Sequence, residues 1–268
     1  MRGMHEARVM AAHARIAAST ELAYRSNFWA YLVNTIVTLG VSIASIALVY
    51  QHTDELGGWT ADDLLVVVGV FFALGAVVNG VVHMSMAKLV TDIRTGDFDY
   101  RLLKPVDAQA VSLAQAPDPW RALDLVVGGA VIAVGVARGG LVTTAGDVAG
   151  AFGAALGMFA CAVVIVAAFW SLLSSITFWT VQGEGILWAL DDMYDHLRWP
   201  IGIFPGGLRL ALSTIFPAGL AVTVPAEALT GRLDLTSAGA AVGMAFALLV
   251  ASRLLWTRAV RRYEGASS

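Results

Sequence analysis

Apolar stretches of about twenty residues recur along this chain, and that one feature most limits what it can fold into. Each is long enough to cross a bilayer as a helix, where every backbone hydrogen bond closes within the segment. Hydrophobic residues make up 58% of the 268 and charged residues 14%, against roughly 45–50% and 25% in soluble domains. A soluble fold of this length cannot hide so much apolar surface, so the remainder faces lipid. The fold class this predicts is an all-α, polytopic membrane protein. A net charge of −3 gives no basic field for nucleic acid. The single cysteine, Cys161, lies inside an apolar run, which excludes an internal disulfide.

Six spans are predicted at 28–51, 63–84, 123–137, 147–176, 208–224 and 238–256. Lys and Arg set their orientation. Arg2, Arg8, Arg15 and Arg25 precede the first span, and Lys88, Arg94, Arg101, Lys104 and Arg121 follow the second. Arg198 and Arg209 fall between the fourth and fifth, and Arg253, Arg258, Arg261 and Arg262 close the chain. On this count 15 of 17 basic residues share one side, leaving Arg138 and Arg232 on the other. Both termini and the larger loops are therefore expected in the cytoplasm. Residues 1–27 start too polar for a secretory signal and are expected to form an interfacial helix, with Arg8, Arg15 and Ser19 on one face. Residues 28–268 then form one six-span domain with a cytoplasmic loop at 85–122. Glycines at Gly146, Gly150, Gly153 and Gly157, and at Gly239 and Gly243, repeat at helix-packing intervals. They suit packing within the chain or a subunit interface.

Several chemistries lack their residues. No G-x-x-x-x-G-K-[ST] phosphate loop is present, and the string 186–192, which ends in Asp191-Asp192, has no such loop before it. His83, Met84 and Met86 are splayed by the helical turn and make a poor metal site, so no metal is expected. No Ser/His/Asp or paired-carboxylate arrangement lies within the spans, so the chain reads as a non-catalytic subunit without a cofactor of its own. His52, Asp54, Glu55, Asp62 and Asp63 read as a solvated outer face. Ion-coupled carriers bury ionisable relays, whereas here Asn34 and Asn79 are the clearest polar groups away from span ends. They are the candidate substrate path, and the driving force is expected from a partner.

The loop after the second span carries the sharpest signal. In the stretch 93–105, Gly96 breaks the helix, Asp97 is placed to cap the next turn, and Pro105 ends it. A short helix between them would present Phe98, Leu102 and Leu103 as an apolar ridge flanked by Arg101 and Lys104, with Asp99 in its first turn. Such a helix suits either docking into a partner's groove or lying on the lipid surface.

Here the sequence resembles the permease subunits of ABC transporters, of the type-2 exporter class. The Gly-acidic/apolar-Asp-x-x-Leu-Leu-basic-Pro signature of one bacterial branch is matched by Gly96, Asp99, Leu102, Leu103, Lys104 and Pro105. Tyr24-Arg25-Ser26-Asn27-Phe28, Phe178-Trp179, Pro200, Phe204-Pro205, Phe216-Pro217, Pro225-Ala226 and Tyr263 follow in the order that branch shows. The stretch Ala116-Pro117-Asp118-Pro119-Trp120 has no counterpart in the resemblance. The resemblance implies a bacterial cytoplasmic-membrane exporter permease, with Gly96, Asp97, Phe98, Asp99, Arg101, Leu102, Leu103, Lys104 and Pro105 as its coupling helix. It further implies two copies of a separate ABC ATPase that hold ATP and Mg, and a second permease, identical or paralogous. A re-entrant element over 216–229 between spans five and six is also implied. The competing expectation is a membrane scaffold that docks a soluble partner without transport. The substrate is not legible: lipids, lipopeptides and antibiotics all suit an apolar bundle with a few hydroxyls and amides.

Overall fold

A computed structural model describes residues 25–140, 145–180, 185, 189, 194 and 198–263. The expected interfacial helix, with Arg8, Arg15 and Ser19, lies outside these residues, as does the string 186–192 apart from Ala189. The described residues are almost wholly helical.

Helix α1 (Arg25–Tyr50) leads by a short loop to α2 (Ala61–Val77). Thr60 and Asp63 start α2 as a capping box, each side chain accepting the other's backbone N–H. A π-helical turn, Val78–His83, joins α2 to α3 (Met84–Thr95), so the helical rod continues far past the expected end of the second span. The eleven residues after Met84 add about 16 Å. Gly96, at φ 84°, stops this rod in a left-handed turn. There follow α4 (Phe98–Leu102), α5 (Ala108–Leu113), α6 (Ala122–Gly139), α7 (Ala145–Ser174), α8 (Gly206–Thr214), α9 (Ala218–Leu229) and α10 (Leu235–Arg261).

Helix α2 is the axis of the bundle: from Leu64 to Ala76 all its residues but Leu65 are buried. It packs on α6 and α9, and α7 packs on α9 and α10. The α2–α6 approach needs glycine. A Cβ on Gly128 would stand 2.6 Å from the Gly69 carbonyl oxygen and 2.7 Å from the Ala73 nitrogen. One on Gly69 would meet the Ile132 and Gly128 backbone at 2.8 Å. By contrast, Gly150, Gly153, Gly157, Gly239 and Gly243 have nothing within 4 Å of an added Cβ. Those stripes therefore pack against nothing among the described residues. The regular spacing marks an outward face among the described residues, and the close approach uses Gly69 and Gly128, which belong to neither stripe.

The fifth crossing differs from the expectation at 208–224. Helices α8 and α9 form a pair bent by 97°. Before the pair, Ile203 and Gly202 lie against Gly57 and Trp59 of the α1–α2 loop. After it, Arg232 bonds Asp63 at 2.7 Å and covers the Trp59 ring at 5.1 Å. Both ends of the pair thus sit at the same end of the bundle, and it dips in and returns. Phe178 lies at the opposite end, against Phe98 and Trp256. The chain therefore crosses between Phe178 and Gly202, with the Tyr194 hydroxyl donating to the Phe71 carbonyl on the way. The implied re-entrant element is present, beginning earlier, at Gly206. The sequence window was misled because 208–224 is the more apolar stretch by hydropathy.

Candidate functional site: the loop helix and a polar cavity

The loop helix α4 is clamped to the bundle by its first residue. Phe98 is fully buried and makes edge contacts with Phe178, Trp256 and Tyr263 at centroid distances of 5.1, 6.0 and 5.4 Å. These rings come from the ends of α7 and α10, so the loop helix, the fourth span and the last span share one aromatic cluster. Aromatic pairs of this geometry contribute about 0.5–1.5 kcal/mol each beyond area burial. This corrects the ridge expected from the sequence: Phe98 faces inward, and the outward apolar side chains are Tyr100, Leu102 and Leu103, at 71%, 40% and 81% exposure.

Arg101 is also misplaced by the sequence reading. It is buried, pairs with Asp92 of α3 and donates to Ser112 Oγ of α5 at 2.7 Å. Burial lowers its pKa, and the Asp92 carboxylate opposes that shift. An arginine held in this way fastens α4 to its neighbours and cannot serve as a rim charge. Asp97 does not cap α4 through its side chain; it accepts the Thr95 hydroxyl at 2.9 Å. Asp99 faces Tyr263, and burial together with that carboxylate raises the Tyr263 phenol to about 12. Lys104 follows on the short connection, its backbone N–H donating to the Arg101 carbonyl. Beyond Pro105, Asp107 caps α5 and pairs with Arg253 of α10 at 2.5 Å. Burial alone would push the Asp107 carboxyl up, but hydrogen bonds from Arg253 and the Ala110 N–H hold it below its ordinary value. Gly96, Phe98, Arg101 and Asp107 thus fix a rigid knob whose outer surface is Tyr100, Leu102 and Leu103.

A second site lies inside the bundle. A cavity of about 400 Å³ opens where α1, α2, the π turn and the start of α6 meet. From α1 it takes Tyr31, Asn34, Thr35 and Thr38, and from the π turn Asn79 and His83. The two asparagines singled out from the sequence are therefore brought to one space. Met84 also lines it while Met86 is fully buried, so the residues once weighed as a metal set point apart. Asp124 closes the α6 side, accepting from the Thr35 hydroxyl at 2.5 Å and from Arg121 at 3.3 Å. Arg121 in turn lies 5.0 Å over the Tyr31 ring. Deeper, Phe71 stacks on Tyr194 at 5.2 Å, and Arg198 covers Phe71 at 5.7 Å.

Sequence reasoning missed most of this cavity. The stretch before α6 that matched nothing in the resemblance is its floor: the Asp118 N–H donates to the Gly80 carbonyl at 2.7 Å, and the Ala116 N–H donates to Ser85 Oγ at 3.1 Å. A π turn leaves a backbone carbonyl out of register, and here Asp118 takes it up. Arg198, assigned from the sequence to a loop, is in the crossing. Phe71 lies ten residues into α2, about 15 Å along that helix, so the Arg198 guanidinium over its ring lies well inside the bundle. The bundle is thus less empty of ionisable groups than its hydropathy indicates.

Several long apolar helices around a buried polar cavity, with a rigid knob standing off one end, define a multi-pass membrane protein of the transport class. The chain belongs to a family: the model of the ABC-2 family transporter proteins matches it over residues 36–267. It is accordingly a permease subunit of an ABC transporter, a class that associates with an ABC ATPase. Searches of curated proteins and of solved structures returned no match.

Proposed function

We propose that this chain is the translocating subunit of an ATP-driven exporter in a bacterial cytoplasmic membrane, driven by a separate ATPase that docks on α4. The observation that carries this reading is the aromatic cluster around Phe98, which ties the outward knob to the cytoplasmic ends of two spans. A push on Tyr100, Leu102 and Leu103 is passed through Phe98 to α7 and α10 instead of being absorbed by a loose loop. The transporter contains two ATPase subunits, which bind ATP and Mg, and two permeases, either identical or paralogous. This chain hydrolyses nothing itself.

Orientation follows the basic residues. With the corrected crossing, Arg209 joins Arg138 and Arg232 at the outer end, Arg198 lies within the bundle, and the other thirteen remain inside. Cysteines at Asp54, Arg209 and Arg232 should react with an impermeant maleimide from outside, and cysteines at Asp99 and Arg261 should not. Labelling at position 99 from outside would invert the protein; protection at 209 would restore a fifth span at 208–224.

Reconstitution tests the function. The purified chain alone should show no ATP hydrolysis. Combined in proteoliposomes with the ABC ATPase that co-purifies with it, it should form a stable complex and move an amphipathic substrate to the outer side. A stable complex with no transport would favour the scaffold reading.

A further inference from the structure

Resting on the permease reading, we infer that the cavity between α1, α2 and α6 takes the uncharged head of an amphipath, one rich in hydroxyl or amide groups. The charged side chains that line the cavity are already engaged. Asp124 accepts from the Thr35 hydroxyl at 2.5 Å and from Arg121 at 3.3 Å, and Arg121 lies over the Tyr31 ring. Asp118 accepts from the Trp120 N–H at 3.0 Å, and Arg198 is engaged beside the Phe71 ring it covers. These two carboxylates and two guanidinium groups balance, so the lining offers an ion no net field. An ionic head would have to displace one of the partners, and both carboxylates are buried. A buried charge stripped of its partner is costly.

What remains open is neutral. Asn34, Thr38 and Asn79 line the cavity, and none of their side chains hydrogen-bonds to another group among the described residues. Each carboxamide carries two donors and an acceptor, and the hydroxyl both donates and accepts. Polar groups left without partners inside an apolar bundle are costly, so a ligand that also donates and accepts is favoured there. The placement is built into the sequence. Tyr31, Asn34, Thr35 and Thr38 stand at i, i+3, i+4 and i+7 on α1, which makes them one stripe of the helix, and all four line the cavity. Asn79 comes from the π turn, an irregularity found often at functional sites. A volume of about 400 Å³ lies at the smaller end of ligand cavities and holds a head without a long tail. The rest of α1 gives the tail a route, since Trp29, Val33, Ile36 and Val37 are exposed on its outer flank. The tail then stays in lipid beside α1 while the head enters.

The test is binding of five C14-chain amphipaths to the purified protein in lipid nanodiscs, read by native mass spectrometry and tryptophan fluorescence. Monomyristoylglycerol carries a hydroxyl head and N-myristoylglycinamide an amide head. Methyl myristate has no donor, tetradecyltrimethylammonium is a cation and tetradecyl sulfate an anion. The hydroxyl head, the amide head or both should bind roughly tenfold more tightly than the other three, and their order says which source of hydrogen-bonding groups the cavity prefers. Asn34→Leu and Asn79→Leu should each bring that affinity down toward that of methyl myristate. Thermal stability should hold or rise in both variants, because the amides bond to nothing among the described residues; a fall in stability would make them structural and count against the site. Equal affinity for all five amphipaths, or tighter binding of either ion, would overturn the assignment. So would Asn34→Leu releasing a second permease while amphipath binding stays unchanged, since the amide would then belong to a subunit interface. In the ATPase-bound complex the preferred amphipath should also stimulate hydrolysis, and binding without stimulation would overturn the cavity as a translocation site. Failure of the selectivity with ATPase association and export intact would strike this assignment and leave the permease reading standing.

Discussion

Replacing Leu102 and Leu103 together by alanine should abolish export while leaving the protein folded and inserted. Both side chains project from α4, at 40% and 81% exposure, and neither belongs to a membrane-crossing helix. Their removal takes nothing from the bundle. Seated in a groove on the ATPase, they would each lose water-exposed apolar surface worth up to about 1.5–3 kcal/mol. Allowing for the part of Leu102 already covered, the pair contributes about 2–4 kcal/mol, so association should weaken by roughly a hundredfold. Pull-down of the ATPase and ATP-dependent transport measure the two effects. Phe98→Ala is expected to act differently, because Phe98 does not face the partner. It opens a hole between α4, Phe178, Trp256 and Tyr263, at a cost of about 3–5 kcal/mol. The ATPase should then still bind the outer leucines, with its hydrolysis no longer linked to transport. Wild-type export by the double leucine variant would remove α4 from the mechanism.

The second large effect is expected from the smallest possible change, Gly128→Ala. The added Cβ meets backbone atoms of α2 at 2.6 and 2.7 Å, and backbone cannot rotate aside. The two helices must separate, and overpacking of this kind costs typically 1–3 kcal/mol, here about 3. The consequence reaches the cavity, because Asp124 is one turn away on the same helix and its hydrogen bond from Thr35 joins α6 to α1. Gly129→Ala is the matched control, since nothing lies within 4 Å of its added Cβ. Thermal unfolding and membrane yield should fall sharply for the first variant and stay unchanged for the second. Equal behaviour would mean that α2 and α6 do not pack through this face.

The spans and the loop motif were legible in the sequence because both are local properties. Hydropathy alone locates α1, α2, α6, α7 and α10, and Gly96 and Pro105 bracket the loop helix without any tertiary information. The inward turn of Phe98 was not legible. It depends on Phe178, Trp256 and Tyr263, which lie 80 or more residues away, and a five-residue helix is too short for periodicity to assign a face. Arg101 was misread for the same reason, since its partners Asp92 and Ser112 sit on two other helices. The fifth crossing was hidden because α8 and α9 together are apolar enough to pass for a span, and only folding shows that they form a pair bent by 97°. Asn34 and Asn79 were found as isolated polar residues, but only folding shows that one cavity joins them.

Docking of the ATPase on α4 is tested most directly by a photocrosslinking amino acid placed in turn at Leu103 and Val37, at 81% and 57% exposure. Both are outward apolar positions, one on the knob and one on the flank of α1. In membranes containing the assembled transporter, irradiation should join position 103 to the ATPase subunit and position 37 to lipid or a second permease. Capture of lipid from position 103, with no ATPase adduct, would make α4 a membrane-surface helix and contradict the coupling role.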